Sequence, residues 1–275
     1  MPSAQYDTFI PNHIIETICQ DRDINPITYA LSLLDQLKAY AVVPVSQFQV
    51  AAIAIDDAGH FYVGVNQEYA GAAMAQTVHA EQSAISHAWM RGATRIAHVV
   101  VNYPPCGHCR QFMNELRDAD RLHVHLPSRQ NTPFPELLPQ DFSPADLGMK
   151  TRLLDQQRIP LTGNVNSLPP LSQAAIDAAE HSYAPYSGAY AGVALALKSG
   201  EIISGRYAEN AAYNPSLPPL QAALNLLHLR GLGIDEVAEG VLAHIPNHGH
   251  AAHSKALWQA ISKAPLHILD VTDPS

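Results

Sequence analysis

The chain has 275 residues, of which 47% are hydrophobic and only 15% charged, and it carries a formal net charge of -9. That acidic balance, with no basic stripe, argues against a protein built to grip a polynucleotide backbone and favours small uncharged substrates. No apolar run approaches the ~20 residues that span a bilayer, and residues 1–11 lack the basic and apolar regions of a signal peptide, so a soluble cytoplasmic protein is expected.

Residues 12–40 read as helical, with Ile27, Ala30, Leu31, Leu34 and Leu37 near one face and Asn25-Pro26 as a start signal for a second helix. From Phe48 to Ala54 the period changes to alternation, which predicts a strand; Asp56-Asp57-Ala58-Gly59 is a hairpin turn and Phe61–Val65 the returning strand. Val78–Met90 reads as a helix stopping near Gly92, Ile96–Val101 as a buried strand, Cys106–Leu116 as a helix and Leu122–Leu126 as a further strand. Residues 127–148, rich in proline and polar side chains, read as a long ordered loop. The order β-β-α-β-α-β predicts an α/β fold, a mixed sheet flanked by helices.

The second half repeats this plan. A helix over 172–180, a hairpin of Ala191–Leu197 and Glu201–Tyr207 around Ser199-Gly200, and a helix over 218–229 are followed by elements at 237–245, 254–262 and 266–269. Pro44-Val45-Ser46 matches Pro185-Tyr186-Ser187, Gly64 matches Gly205 and Glu68 matches Glu209, all at one offset; after a two-residue gap Gln82 falls opposite Gln221. A shared offset points to internal duplication. The expected organisation is an N-terminal helical segment (1–45), a catalytic domain (46–150), a linker (151–170) and a second, degenerate copy (171–275).

Three cysteines are too few for a disulfide framework. Cys19 stands alone in a helix, as a small buried apolar residue would. Cys106 and Cys109, three residues apart at a helix start, can bond one ion together, and His79 is the natural third ligand. Catalytic Zn²⁺ sites use three protein ligands and leave the fourth position for water. A helix N-terminus also favours thiolate over thiol. Glu81, two residues after His79, can take a proton from a metal-bound water and pass it on. His-x-Glu with Pro-Cys-x-x-Cys is the zinc deaminase signature; each half is weak alone, and their joint occurrence after strands is specific. The alternatives are a redox Cys pair, which leaves His79 and Glu81 idle, and a structural zinc that recruits His108, whose place between the cysteines points its ring away. His87 could approach the same face, but packing explains it better.

On Thr77–Ala84 (TVHAEQSA), Pro105–Leu116 (PCGHCRQFMNEL), Asn66–Glu68 and Tyr207–Gln221 (YAENAAYNPSLPPLQ), the sequence resembles the cytidine deaminases of the two-domain bacterial and plant type, over nearly its whole length. The resemblance implies duplicated three-layer α/β/α domains, one Zn²⁺ per subunit and a homodimer. It implies conversion of cytidine and deoxycytidine to uridine and deoxyuridine in pyrimidine salvage. His79, Cys106 and Cys109 would hold the metal and Glu81 would shuttle protons. Asn66 and Glu68 would bind the ribose 3′-hydroxyl, Phe48 would stack on the pyrimidine, and the Ala80 N–H would bind the base carbonyl. A carbonyl near Pro104 would receive the departing amino group, and Phe142 would cap the neighbouring subunit's site. In the second copy Pro218 faces His79 and Leu220 faces Glu81, and no cysteine follows Cys109, so that copy cannot build the metal site. Pro104-Pro105 stands where Thr-Pro is usual, and the first copy lacks the tyrosine that the second keeps at Tyr186. A nucleotide or polynucleotide deaminase is the other reading within this chemistry, but residues 66–77 contain no Lys or Arg to meet a phosphate. A catalytically inert zinc- or RNA-binding protein is the alternative outside it.

Overall fold

A computed structural model describes residues 8–163 and 168–273. The chain divides into two compact units: residues 1–68 with 77–154, and residues 69–76 with 155–275. Asn164 and Asn166, part of the expected linker, lie outside the described residues.

The first unit runs β1 (Phe9–Ile10), α1 (Asn12–Arg22), α2 (Pro26–Leu37), β2 (Ala51–Asp56), β3 (Phe61–Val65), α3 (Ala80–Met90), β4 (Ile96–Val101), α4 (Gly107–Met113), β5 (His123–His125), β6 (Thr132–Pro133) and α5 (Phe134–Leu137). Its sheet has the order β1-β3-β2-β4-β5-β6. All pairs are antiparallel except β4 with β5. Helix α2 packs on β2, β3 and β4, and α3 packs on β2 and β3. Every residue of β2 is buried, as a strand covered on both faces must be. Asn25 caps α2 by accepting the Thr28 N–H at 2.9 Å, with Pro26 at the first helical position. Cys19 is buried, as expected.

The second unit runs β7 (Thr162–Gly163), α6 (Pro170–Glu180), β8 (Ala191–Leu197), β9 (Ile202–Arg206), α7 (Pro219–Leu229), β10 (Val237–His244), α8 (His250–Ile261) and β11 (Leu266–Thr272), with sheet order β7-β11-β10-β8-β9. Only β10 with β11 is parallel. Its two cores lie on opposite sheet faces. Val193, Leu195 and Leu242 meet Leu220, Ala223 and Trp258 on one side; Ala194, Val241 and Ala243 meet Ala175, Ile176 and Ala179 on the other. Alternate strand residues thus face opposite helical layers, the three-layer α/β/α arrangement.

The duplication is visible in hydrogen bonds. Glu68 Oε2 accepts from the Val45 and Ser46 amides at 2.9 and 3.0 Å, and Glu209 Oε2 accepts from Tyr186 and Ser187 at 2.9 and 3.2 Å. Backbone bridges Val42–Gln67–Val78 in one unit recur as Tyr183–Ala208–Leu217 in the other. A methyl group on Gly64 would sit 2.1 Å from Ala84 N, and one on Gly205 would sit 2.2 Å from Ala223 N, so both glycines let a helix lie directly on a strand.

Three expectations change. Strand β2 begins at Ala51, not Phe48, because the preceding backbone pairs with side-chain amides. Asn66 Oδ1 accepts from Val50 N (2.8 Å) and its Nδ2 donates to Phe48 O (2.9 Å), while Asn102 Oδ1 accepts from Ala51 N and its Nδ2 donates to Gln49 O. The loop at 127–148 contains β6, α5 and a short 3₁₀ turn, Pro144–Leu147, closed by Asp146 accepting the Ser143 N–H at 2.7 Å. Two short edge strands, β1 and β7, carry too few residues to show a period.

Gly64→Ala should destabilise the protein by about 3 kcal/mol, since backbone rather than a pliable side chain must yield. Gly107→Ala, whose added methyl would meet nothing within 4 Å, should change stability by less than about 1 kcal/mol. Urea unfolding of the two variants beside wild type checks the contrast.

Candidate metal centre and active site

Helix α3 is buried along Ala80–Trp89, and its N-cap is His79 in extended conformation (φ -81°, ψ 154°). Gln82 reaches back to accept the His79 N–H at 3.3 Å, and Ser83 Oγ accepts the Val65 N–H at 3.1 Å. These bonds and the Gly64 contact fix the start of α3 beside the end of β3. Cys106 occupies the equivalent N-cap position of α4, after β4. The two helix starts bring His79 Nδ1 within 3.5 Å of Cys106 Sγ and 3.3 Å of Cys109 Sγ, and the two sulfurs lie 3.5 Å apart. For Zn–S ≈ 2.3 Å and Zn–N ≈ 2.0–2.1 Å, tetrahedral ligands lie about 3.8 Å (S to S) and about 3.6 Å (S to N) apart. The triangle is slightly tighter than that, and a zinc ion fits it with a small expansion. Among the described residues it is the one group of three or more such side chains able to hold a metal.

Glu81 is 4% exposed, and its Oε2 lies 3.2 Å from Cys109 Sγ, beside the triangle. Burial pushes its carboxyl above the usual range, against the hydrogen bonds it accepts. Hydrogen bonds from the Cys109 thiol and from His79 push the Cys106 thiol down to about 3. The Cys109 thiol moves up, through that same bond to Cys106 and through burial. A divalent ion bound here would take the place of the thiol protons.

His108 does not point away as expected: its ring stacks on His79 with centroids 4.7 Å apart, backing the ligand without joining it. His87 packs, as expected, with Nδ1 3.0 Å from Val63 O and Nε2 accepting from Arg91 Nε.

The other sequence-selected residues take defined places. Ala80 is buried in the first turn of α3. Phe48 is 49% exposed and packs on Tyr103, centroids 4.6 Å apart. Asn66 and Glu68 are buried and hold the 45–50 segment through the bonds given above. Each keeps further hydrogen-bonding capacity, because an amide and a carboxylate offer more than the bonds used. Burial alone would raise the Glu68 carboxyl, but bonds from the Ser46 hydroxyl and the Ser46 and Val45 amides outweigh it and hold it low. Pro104 is exposed just before the metal turn. Phe142 is 45% exposed, and its carbonyl accepts from Gln111 of α4 and from Asn114 at the helix C-cap.

Two residues escaped the sequence reading. Tyr103 adds a second exposed ring beside Phe48; its place before Pro104-Pro105 was the available signal. Arg110 donates through Nε to Pro105 O and through Nη1 to Leu137 O, both at 2.8 Å, tying the metal turn to α5.

In the second unit the helix start survives without its chemistry. Pro218 is the N-cap of α7 with the backbone of His79 (φ -66°, ψ 152°), and fully buried Leu220 replaces Glu81. Tyr207 stands where Asn66 does and packs edge-on against His250 at 4.5 Å.

A two-thiolate, one-imidazole donor set beside a buried carboxylate, mounted on an α/β/α fold, defines a zinc-dependent hydrolytic deaminase. Models of the family described as "Cytidine and deoxycytidylate deaminase zinc-binding region" match residues 25–125 and 134–256. The chain is 51% identical over 239 residues to a cytidine deaminase of Mannheimia succiniciproducens, spanning 86% of this chain and 79% of that protein. It is 44% identical to one from Haemophilus influenzae, spanning 88% of this chain and 82% of that protein. The crystal structure of cytidine deaminase from Mycobacterium tuberculosis aligns with a TM-score of 0.39 at 28% identity, over 42% of this chain and 96% of that one. The chain belongs to the cytidine deaminase family, and its metal is zinc. Among the described residues no helix is long and apolar enough to cross a membrane.

Cys106→Ala should lose bound zinc almost completely. Arg110→Gln, which cannot span both carbonyls, should keep the fold and weaken zinc affinity about ten-fold, the scale of losing an outer support of a ligand. Zinc content after dialysis against graded chelator distinguishes these outcomes from wild type.

Proposed function

We propose that the chain hydrolyses cytidine and 2′-deoxycytidine to uridine and 2′-deoxyuridine with release of ammonia, and that Glu81 is its proton shuttle. The observation that carries this reading is the buried Glu81 carboxylate, 3.2 Å from a metal-ligand sulfur. When bound at His79, Cys106 and Cys109, zinc supplies Lewis acidity that makes water a nucleophile near neutral pH. The net reaction adds water's oxygen to the ring carbon and breaks the bond to the amino nitrogen. Two protons must move: one from water to the ring nitrogen, and one from the added hydroxyl to the departing amino group. Glu81 carries both and ends as it began, the economy expected of a general acid–base.

The remaining residues hold the substrate. The Ala80 N–H, free in the first turn of its helix, donates to the base carbonyl. Phe48, beside Tyr103, gives the pyrimidine an apolar face. Asn66 and Glu68 reach the ribose 3′-hydroxyl with the capacity left over from holding the 45–50 segment. The Pro104 carbonyl accepts from the departing ammonia. Phe142, exposed on a loop held to α4, caps the site of a second copy in a homodimer. The catalytic assembly corresponds to residues 46–150, and residues 171–275 belong to the non-catalytic copy. Metal-ligating thiols suit the reducing cytoplasm and a place in pyrimidine salvage. The absence of Lys and Arg from residues 66–77 favours nucleosides over nucleotides.

Glu81→Gln should retain zinc and lose at least about a thousand-fold in kcat, measured by the absorbance change on deamination. With wild type, cytidine and deoxycytidine should turn over, and cytidine monophosphate and free cytosine hardly at all; preferential turnover of the monophosphate would replace the nucleoside reading.

Asn66→Ala and Asn102→Ala both release the segment before β2, but only Asn66 is assigned a sugar contact. Both should keep zinc, and Asn66→Ala should lower kcat/KM for cytidine at least about ten-fold further than Asn102→Ala. Equal losses would mean that Asn66 acts only through the segment.

A further inference from the structure

A cleft of about 490 Å³ opens in the first unit at the opposite end of β2 and β4 from the metal turn, a volume in the range of small-molecule sites. Its lining is mixed: Pro26 and Ile27 from the start of α2, Ile55 from β2 and Ala97 from β4 are apolar, and His98, paired across the sheet with Ile55, joins His125, Gln130 and Asn131 as the polar part.

The two histidines are joined, with His125 Nε2 3.1 Å from His98 Nδ1. Their proton positions follow from a third bond. The Asn131 backbone N–H lies 3.1 Å from His125 Nδ1, and an amide N–H can only donate. His125 Nδ1 is therefore an acceptor and its proton sits on Nε2. His98 Nδ1 must accept that proton's hydrogen bond, which leaves His98 with an Nε2–H of its own. The same logic excludes a metal held by this pair, since His125 Nε2 has no lone pair to give. Burial lowers both imidazoles, His125 to about 4, so the neutral relay is the form present near neutral pH.

The charged side chains in the described lining of the cleft are Asp56 and Asp57. Asp56 is already committed, its carboxylate accepting from His60 N and Tyr62 Oη–H at 2.8 Å each, and Asp57 is exposed at the rim. Among the described residues no Lys or Arg lines the cleft, so a phosphorylated ligand finds no cationic partner in that lining. Asn25 at the lip spends its Oδ1 on the Thr28 amide, which leaves its Nδ2 as a donor.

We propose that this cleft is a second ligand site, distinct from the metal centre, that takes an uncharged nucleoside-type heterocycle. The flat ring lies on the Pro26–Ile27 wall, the His98 Nε2–H and the amides donate to ring acceptors, and Asp57 accepts from a ring or sugar donor. The histidine relay serves to hold the His98 donor in one tautomer.

Calorimetric titration of the zinc-loaded protein with uridine and with adenosine tests this, alongside His98→Phe, which keeps a ring but removes the donor, and Ile27→Trp, which fills the cleft. The expected result is a second site per chain for at least one probe. That site should weaken about ten-fold or more in His98→Phe and vanish in Ile27→Trp, while cytidine turnover without added probe is unchanged in both. A single site for both probes, or a second site that survives both substitutions, overturns the proposal. Tighter binding of uridine 5′-monophosphate than of uridine at that site overturns the assignment to an uncharged ligand. Should Ile27→Trp fail to fold, His98→Phe decides alone. Turnover of cytidine is read separately, so failure here does not touch the deaminase assignment.

Discussion

Everything at the metal centre depends on how closely one helix lies on one strand. Helix α3 rests on β3 at Gly64, where even a methyl group would overlap the Ala84 amide and the Ala80 carbonyl. That contact sets the depth of the helix start, and the helix start is where His79 and Glu81 are. Interiors are packed like crystals, so a shift of an ångström here could not be absorbed around it. Helix α3 is buried along ten residues, and its own hydrogen bonds satisfy its backbone.

The metal turn is held with comparable care from the other side. Arg110 ties the Pro105 carbonyl to Leu137, and Gln111 and Asn114 hold the Phe142 carbonyl, so one short helix organises both the Cys pair and the following loop. Around the opening, Asn66 and Asn102 grip the segment before β2 from two neighbouring strands, substituting amides for a strand partner. This leaves Phe48 outside the sheet and exposed. A residue that looks like one more alternating strand position instead stands outside the sheet beside Tyr103.

The second unit shows which of these features belong to the fold and which to the chemistry. It keeps the glycine under the helix at Gly205, the carboxylate that holds the Pro-x-Ser turn at Glu209, and the extended N-cap backbone at Pro218. It has lost the ligands, the acid and the Asn66 clamp. Glu68 and Glu209 make the same bonds in a unit with a metal centre and in one without. Holding that turn is therefore a structural demand on this carboxylate that does not depend on the metal centre.

Much of this was legible in the residues alone. The strand over Ile96–Val101, the turn at Asp56–Gly59, the capped helix at Asn25-Pro26 and the repeat at a single offset are local or periodic signals, and the metal ligands announce themselves by residue type and spacing. Tertiary structure alone decided where strand β2 starts, because its partners there are side chains more than fifteen positions away. It also decided that His108 stacks on a ligand, that Arg110 bridges two carbonyls, and that His98 and His125 form a relay with fixed protons. Each of these rests on atoms brought together by sheet order and helix depth, for which spacing along the chain carries no signal.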